Sequence, residues 1–160
     1  MNDADRVREQ LEAVHARIAA AGGVDVSVLA VTKAFAPEVI DVAAAAGCRA
    51  IGENYAQELV SKRDVLAGHP DLRVHFIGQL QTNKVRQLAG IVDVYETVDR
   101  GRLAREIAKR DPGASVMIQV DTSALTGDAA EGKGGCPLAD VDPLADEVRE
   151  LGLDLHGLMT

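Results

Sequence analysis

Short apolar runs and amphipathic segments alternate along the sequence, and this alternation restricts the possible folds more than any other feature. Six runs of strand length occur, most of them separated by stretches whose apolar residues recur at helical spacing. Such alternation is typical of an α/β fold in which helices cover a parallel sheet. The predicted strands are residues 27–33, 48–54, 74–78, 92–98, 115–120 and 154–159.

The intervening segments predict helices, and an additional helix precedes the first strand. Asn2 or Asp3 is a candidate cap for that helix, Pro37 and Pro137 suit the first turns of later ones, and Asp99 is a candidate cap for another. Two architectures remain open, namely a doubly wound open sheet and a (β/α) barrel. A complete eight-unit barrel usually needs at least ~200 residues, so the 160 residues present suffice for about six units in a single domain over 1–160.

Charge and composition exclude several classes of function. The formal net charge of −8 argues against a nucleic-acid partner, which requires clustered Lys and Arg. Cys48 and Cys136 are far apart, which favours a reducing compartment over a disulfide framework. The acidic N-terminus does not resemble a signal peptide, and no apolar run is long enough to span a membrane. We therefore expect a soluble, cytoplasmic protein.

Lys33 ends the first apolar run, which is short enough to be a strand buried on both faces. Ligands of α/β folds bind at the carboxyl ends of the strands. An amine held among apolar neighbours is a better nucleophile toward carbonyl compounds. The residues alone leave two interpretations open, a nucleophilic lysine and a surface lysine that merely ends a strand.

Asn54 and His75 are further candidates near the same sheet. Asn54 follows the second strand, where its amide could bind a ligand or cap the next helix, and the residues alone favour the cap. His75 lies within an apolar strand, where a core histidine with a satisfied hydrogen bond is the usual case. Gly78, at the end of that strand, permits a close backbone approach.

A glycine-rich stretch at 127–134 lies within a long loop predicted for 121–136. It nearly matches the phosphate-binding pattern GxxxxGK[ST], but Gly134 lacks the hydroxyl that would bind Mg²⁺, and two acidic residues lie within the loop. A surface loop is the favoured interpretation. The sequence contains no metal-ligand cluster and no Ser/His/Asp arrangement that predicts catalysis.

Five motifs occur together in a specific order and spacing. They are AVTK at 30–33, GENYAQE at 52–58, HFIGQLQTNK at 75–84, QV at 119–120 and GLMT at 157–160. The ordered set resembles the pyridoxal-phosphate homeostasis proteins, the YggS/PROSC family, from about residue 28 onward. This resemblance makes the functional interpretation of Lys33 the preferred one.

The resemblance implies an incomplete TIM-type (β/α) barrel similar to the N-terminal domain of alanine racemase. It further implies a monomer that holds pyridoxal 5'-phosphate as an imine on Lys33 and buffers or delivers the cofactor without established catalysis. Asn54 and His75 fall on family motifs near the cofactor ring, and Met159 would end the sixth strand close to it. The other possibilities are a fold-type III enzyme such as an amino-acid racemase and an inactive fragment with weak cofactor binding.

The sequence also departs from the family pattern. In the family, the chain continues beyond the GLMT motif with segments that bind the phosphate, so we expect a chain truncated at its C-terminus that binds the cofactor weakly and tends to self-associate. The loop at 121–136 looks longer and more acidic than the family pattern. A racemase needs a second acid or base, usually from another domain, and the only tyrosines are Tyr55 and Tyr95, so this alternative ranks lower.

Overall fold

In a computed structural model, which describes residues 2–126 and 134–160, the strands form one parallel sheet in sequence order. Every neighbouring pair, from β1–β2 to β5–β6, is parallel, as predicted from the alternation. The strands are β1 (Ala30–Val31), β2 (Ala50–Glu53), β3 (Arg73–Phe76), β4 (Val94–Val98), β5 (Ser115–Gln119) and β6 (Asp154–Met159).

Helices connect the strands, and one precedes them. The N-terminal helix is capped by Asn2, whose side chain accepts from Asp5 N–H while the Asp5 carboxylate accepts from Asn2 N–H. The helices are α1 (Asp3–Ala20), α2 (Val39–Ala46), α3 (Ala56–Ser61), α4 (Arg63–Leu66), α5 (Val85–Leu88), α6 (Gly101–Arg110), α7 (Ser123–Thr126) and α8 (Val141–Glu150), with 3₁₀ turns at Thr82–Lys84 and Leu138–Asp140.

The strand order decides between the two architectures left open by the sequence. A doubly wound sheet reverses direction at a switch point, whereas here each strand pairs with the next one along the chain. Successive βα units that advance in one direction are the arrangement of a (β/α) barrel. The described residues therefore form six consecutive units of a barrel-type sheet, with β1 and β6 at its two edges.

The core lies between the sheet and its helices. On β5, Val116 and Ile118 are fully buried, whereas the alternate residues Ser115, Met117 and Gln119 are half-buried. The buried set packs with residues of the covering helices such as Ile107 and Val148. Because side chains alternate along a strand, the half-buried Ser115, Met117 and Gln119 lie on the face of the sheet opposite to this core.

The first strand differs from the prediction. It comprises only Ala30–Val31, and the expected burial on both faces is wrong because Val31 is 46% exposed. The physical reason is its position: β1 pairs only with β2 and forms an edge of the described sheet. An apolar run cannot by itself show whether a strand is central or at an edge.

Two further local predictions need correction. Asp99 does not cap α6, because the N-cap residue is Arg100 and no side-chain capping bond is present; Asp99 instead pairs with the Arg100 guanidinium. The helical segment predicted between the second and third strands is divided into α3 and α4 at Lys62. Part of the predicted long loop forms α7, and residues 127–133 of the glycine-rich stretch lie outside the described residues.

The described residues contain neither a candidate membrane span nor a candidate metal site. None of the helices in 2–126 and 134–160 is long and apolar enough to cross a membrane. Nor do the described His, Cys, Asp and Glu side chains form a group of three that could bind a metal ion.

Candidate functional site at the carboxyl edge of the sheet

Three of the four predicted site residues lie at the carboxyl ends of strands. Lys33 lies two residues beyond β1, Asn54 directly follows β2, and Met159 is the last residue of β6. Carboxyl ends of parallel strands meet at one edge of a sheet, which is where barrel proteins bind ligands. His75 differs, because it is the third of four residues within β3.

Lys33 lies in an exposed turn. This position differs from the expected apolar surroundings, since the strand ends at Val31 and no second strand covers its free side within the described sheet. The Nζ atom has no hydrogen-bond or ion-pair partner among the described residues, so the amine is accessible to a ligand. The backbone that carries it, in contrast, is firmly held.

Charged side chains bind the peptide groups on both sides of Lys33. Lys62 Nζ donates to the carbonyl oxygen of Thr32 at 2.8 Å, and Ala34 N–H donates to Glu58 Oε2 at 2.8 Å. Ala34 has a φ of +64°, a left-handed conformation that is unfavourable for a residue with a Cβ atom. The turn around Lys33 is thus fixed by contacts from α3 and the residue that follows it.

A buried ion pair lies directly behind this turn. Glu53 and Lys62 have side chains that are 0% and 1% exposed, and Glu53 Oε1 lies 2.6 Å from Lys62 Nζ. The same carboxylate oxygen accepts from Thr32 Oγ1 at 2.6 Å. Glu53 Oε2 is buried without a hydrogen-bond partner among the described residues. These charges have little solvent to stabilise them, so they depend on one another.

Asn54 does not act as the helix cap that its sequence position favours. The N-cap residue of α3 is Tyr55, and no side chain caps this helix. The backbone of Asn54 lies against Gly78, where a Cβ atom would come within 1.9 Å of the Asn54 carbonyl oxygen. The close backbone approach predicted for Gly78 is therefore confirmed. Asn54 lines a cavity of ≈ 300 Å³ together with Tyr55 and Lys84.

His75 is a half-buried histidine with a satisfied hydrogen bond, as its strand position predicts. Its Nδ1 lies 2.5 Å from Glu96 Oε1, and the two side chains are 19% and 13% exposed. The pair lines a cavity of ≈ 480 Å³ that also contains Arg49 and Arg73. Arg73 begins β3 and Arg49 precedes β2, so this cavity lies toward the amino ends of these strands.

Met159 is aligned with Gln119 across the β5–β6 pair. Gln119 Oε1 is buried without a hydrogen-bond partner among the described residues. Gln119 therefore carries an unsatisfied polar group at the carboxyl end of β5. Its place in the QV motif predicts no individual role for this residue.

The four predicted residues do not share one cavity. Asn54 and His75 line separate cavities, and a third cavity of ≈ 610 Å³ contains Val31, Thr32 and Phe35 but not Lys33. The structure thus places Lys33, Asn54 and Met159 at the carboxyl ends of strands, although β1 and β6 are the two outer strands of the described sheet, and it places His75 within β3.

The sequence motifs predict no role for Glu53 or Glu58, and none of the five motifs contains Lys62. A usable signal was present for Glu53, because a carboxylate at the end of the predicted second strand needs a partner. No comparable signal identified Lys62 as that partner.

Tyr95 is unsuited to proton transfer at this edge. Its side chain is 0% exposed, and its hydroxyl donates to Asp111 at 3.0 Å. Burial, followed by the negative charge of Asp111 and the hydrogen bond to it, raises the pKa of Tyr95 far above its ordinary value. Tyr55, the other tyrosine, is 53% exposed at the start of α3.

Comparison with known proteins identifies relatives over nearly the whole chain. Residues 3–160 match the family described as alanine racemase, N-terminal domain. A pyridoxal phosphate homeostasis protein of Pseudomonas aeruginosa is 38% identical over 96% of this chain and 69% of its own length. The proteins of the same name from Aquifex aeolicus and Escherichia coli are 35% and 39% identical, covering 100% and 84% of this chain. The chain spans 71% and 58% of these two relatives.

Solved structures show the same fold. PipY of Synechococcus elongatus, 28% identical, aligns over 96% of this chain and 69% of its own, with TM-scores of 0.79 without and 0.75 with bound pyridoxal phosphate. Alanine racemase of Clostridium difficile aligns over 84% of this chain and 35% of its own, with a TM-score of 0.62 at 16% identity, which is a likeness of fold.

These findings agree with the geometry. The sequential parallel sheet confirms the predicted barrel class, and the extensive matches confirm the family suggested by the five motifs. The chain belongs to the alanine racemase N-terminal domain family and, within it, to the pyridoxal phosphate homeostasis proteins.

Proposed function

We propose that this chain binds pyridoxal 5'-phosphate through Lys33 and serves in cofactor homeostasis without catalytic turnover. The observation that carries the proposal is the accessible amine of Lys33, presented at the carboxyl edge of the sheet by a turn whose backbone is held on both sides. The relatives that bear the homeostasis name and the PipY structure with bound cofactor support the choice of ligand.

The residues present fit an aldehyde cofactor. When bound, the cofactor would supply an aldehyde carbonyl with which a primary amine could form an imine and release one water molecule. Lys33 presents a primary amine in an accessible position. Lys62 does not, because its ammonium group is buried and bonded to both Glu53 and the Thr32 carbonyl.

The remaining site residues have graded support. Asn54 and Met159 lie at the carboxyl ends of β2 and β6, the ends at which Lys33 follows β1, so we assign them contacts with the ring or its substituents. Gln119 is aligned with Met159 and has an unsatisfied buried oxygen, which makes it an additional candidate. His75 is engaged by Glu96, and its cavity lies toward the amino ends of the strands, so we assign it only an indirect role.

The burial of Tyr95 argues against its use as the second acid or base of a racemase. Racemisation requires an acid or base on each face of the cofactor, and the buried Tyr95 hydroxyl is bonded to Asp111. The chain spans 58% to 71% of the three relatives named above.

An absorbance titration tests the proposal. Pure protein mixed with increasing pyridoxal phosphate should develop the visible band of an imine, and Lys33→Ala should abolish it. Lys109→Ala is the matched control, because Lys109 is an exposed lysine of α6. A band that persists in Lys33→Ala would contradict the assignment, and alanine racemisation that depends on Lys33 would contradict the non-catalytic role.

A further inference from the structure

Charged side chains from one helical segment hold the two peptide groups that flank Lys33. The preceding group carries the Thr32 carbonyl, which accepts from Lys62 Nζ, and the following group carries Ala34 N–H, which donates to Glu58 Oε2. Glu58 and Lys62 are four residues apart and therefore lie one helical turn from each other. We name Glu53, Glu58 and Lys62 the Lys33 clamp.

Ala34 shows why the turn needs such support. Its φ of +64° lies in the left-handed region, which a residue with a Cβ atom keeps only when its surroundings hold it there. The hydrogen bond to Glu58 provides this restraint at the peptide nitrogen of Ala34 itself. Without it, the turn would relax toward commoner conformations and the direction of the Lys33 side chain would change.

Glu53 fixes the other half of the clamp. Its carboxylate binds Lys62 Nζ at 2.6 Å and Thr32 Oγ1 at 2.6 Å. Both charged side chains are almost completely buried, so moving the Lys62 ammonium group away from Glu53 would leave buried charge unpaired. The ammonium group consequently remains on the Thr32 carbonyl.

We propose that Glu53, Glu58 and Lys62 are positioning residues that hold Lys33 ready for the cofactor aldehyde. This inference rests on the proposed function and extends it to residues that touch the backbone of Lys33. Cofactor binds only to the fraction of molecules in which the amine is correctly directed, so loosening the turn lowers the apparent equilibrium constant for the imine by that fraction.

The clamp is tested by comparing Glu58→Ala, Glu58→Gln and the control Glu12→Gln, whose residue is exposed on α1. Glu58→Ala should lower the imine equilibrium constant roughly three- to tenfold, the equivalent of one lost hydrogen bond. Glu58→Gln keeps an oxygen that can accept from Ala34 N–H and should restore most of the binding. Glu12→Gln should match the unmodified protein.

Measurements on the folded protein separate positioning from stability. A merely structural role would shift the unfolding midpoint of Glu58→Ala and leave its imine constant unchanged below that midpoint, and this outcome would overturn the proposal. Hydrogen exchange at the Ala34 amide provides a readout that needs no cofactor. Exchange in the unmodified protein as fast as in an unstructured peptide would also overturn the clamp.

A second variant covers the possibility that Glu58→Ala folds poorly. The double variant Glu53→Leu/Lys62→Met removes the buried charges together and should lower the imine constant similarly, whereas an unchanged constant would contradict the proposal. Failure of the proposed function can be told apart from failure of the positioning role, because the unmodified protein would then form no Lys33 adduct. In that case the positioning role is rejected as well.

Discussion

Breaking the buried Glu53–Lys62 pair on one side should cause one of the largest losses of stability available in this chain. In Lys62→Met the Glu53 carboxylate stays behind with 0% exposure, and its Oε2 atom already has no hydrogen-bond partner among the described residues. Removing one partner of such a pair typically costs about 3–5 kcal/mol. Against a total stability of about 5–15 kcal/mol for native proteins, this loss is a large fraction.

The double variant Glu53→Leu/Lys62→Met should be more stable than Lys62→Met alone. Its apolar side chains leave no buried charge, and such replacements are often close to neutral. Here the Thr32 hydroxyl and carbonyl each lose a partner, which retains a cost of about 1–3 kcal/mol per group, but the carbonyl loses its partner in Lys62→Met as well. We therefore expect the unmodified protein to be the most stable, the double variant intermediate and Lys62→Met the least stable.

Urea denaturation followed by circular dichroism measures this order. Lys109→Met is the matched control, because it makes the same substitution at an exposed position of α6, and it should change the free energy of unfolding by less than about 0.5 kcal/mol. The reasoning would be refuted if Lys62→Met cost no more than Lys109→Met, or if the double variant were no more stable than Lys62→Met.

Three further predictions follow from individual contacts. Gly78→Ala should destabilise the fold by about 3 kcal/mol or more, because the added Cβ atom would lie 1.9 Å from the Asn54 carbonyl oxygen. The control Gly68→Ala should cost less than about 1 kcal/mol in the same urea titration. Equal losses of stability in the two variants would contradict the close packing at Gly78. The hydrogen bond from His156 lowers the pKa of Asp154 below its ordinary value of 3.8. The stabilisation of the fold by this bond is therefore present above that value and is lost as the pH falls through the lowered pKa. NMR titration of His156→Ala should show a higher Asp154 pKa, and an unchanged pKa would refute the assignment. Because β1 and β6 are sheet edges and Leu158 is 55% exposed, the chain should self-associate in sedimentation experiments and Leu158→Lys should weaken this, whereas a monomer at all concentrations would contradict the prediction.

The sequence predicts elements well where burial and periodicity agree. On β5, buried Val116 and Ile118 alternate with less buried residues, and the predicted range 115–120 differs from the observed strand by one residue. The range predicted for β6, 154–159, is the one observed. In both cases a local pattern contains the information, because each strand packs against helices that follow or precede it directly.

Other features depend on distant partners and could not be predicted. The first apolar run suggested burial on both faces, but Val31 is 46% exposed because the described sheet places its strand at an edge. The partnership of Glu53 with Lys62 depends on how the chain turns between α3 and α4. Likewise, the bond from Ala34 to Glu58 spans 24 positions in the sequence and follows from tertiary structure alone.

Borohydride reduction followed by peptide mapping tests the central claim most directly. The protein is mixed with pyridoxal phosphate, reduced and digested, and the adduct is located among its five lysines, Lys33, Lys62, Lys84, Lys109 and Lys133. Our account predicts the adduct on Lys33, with Lys62 unmodified in the folded protein. An adduct found mainly on Lys84 or Lys133, or one that persists in Lys33→Ala, would contradict it.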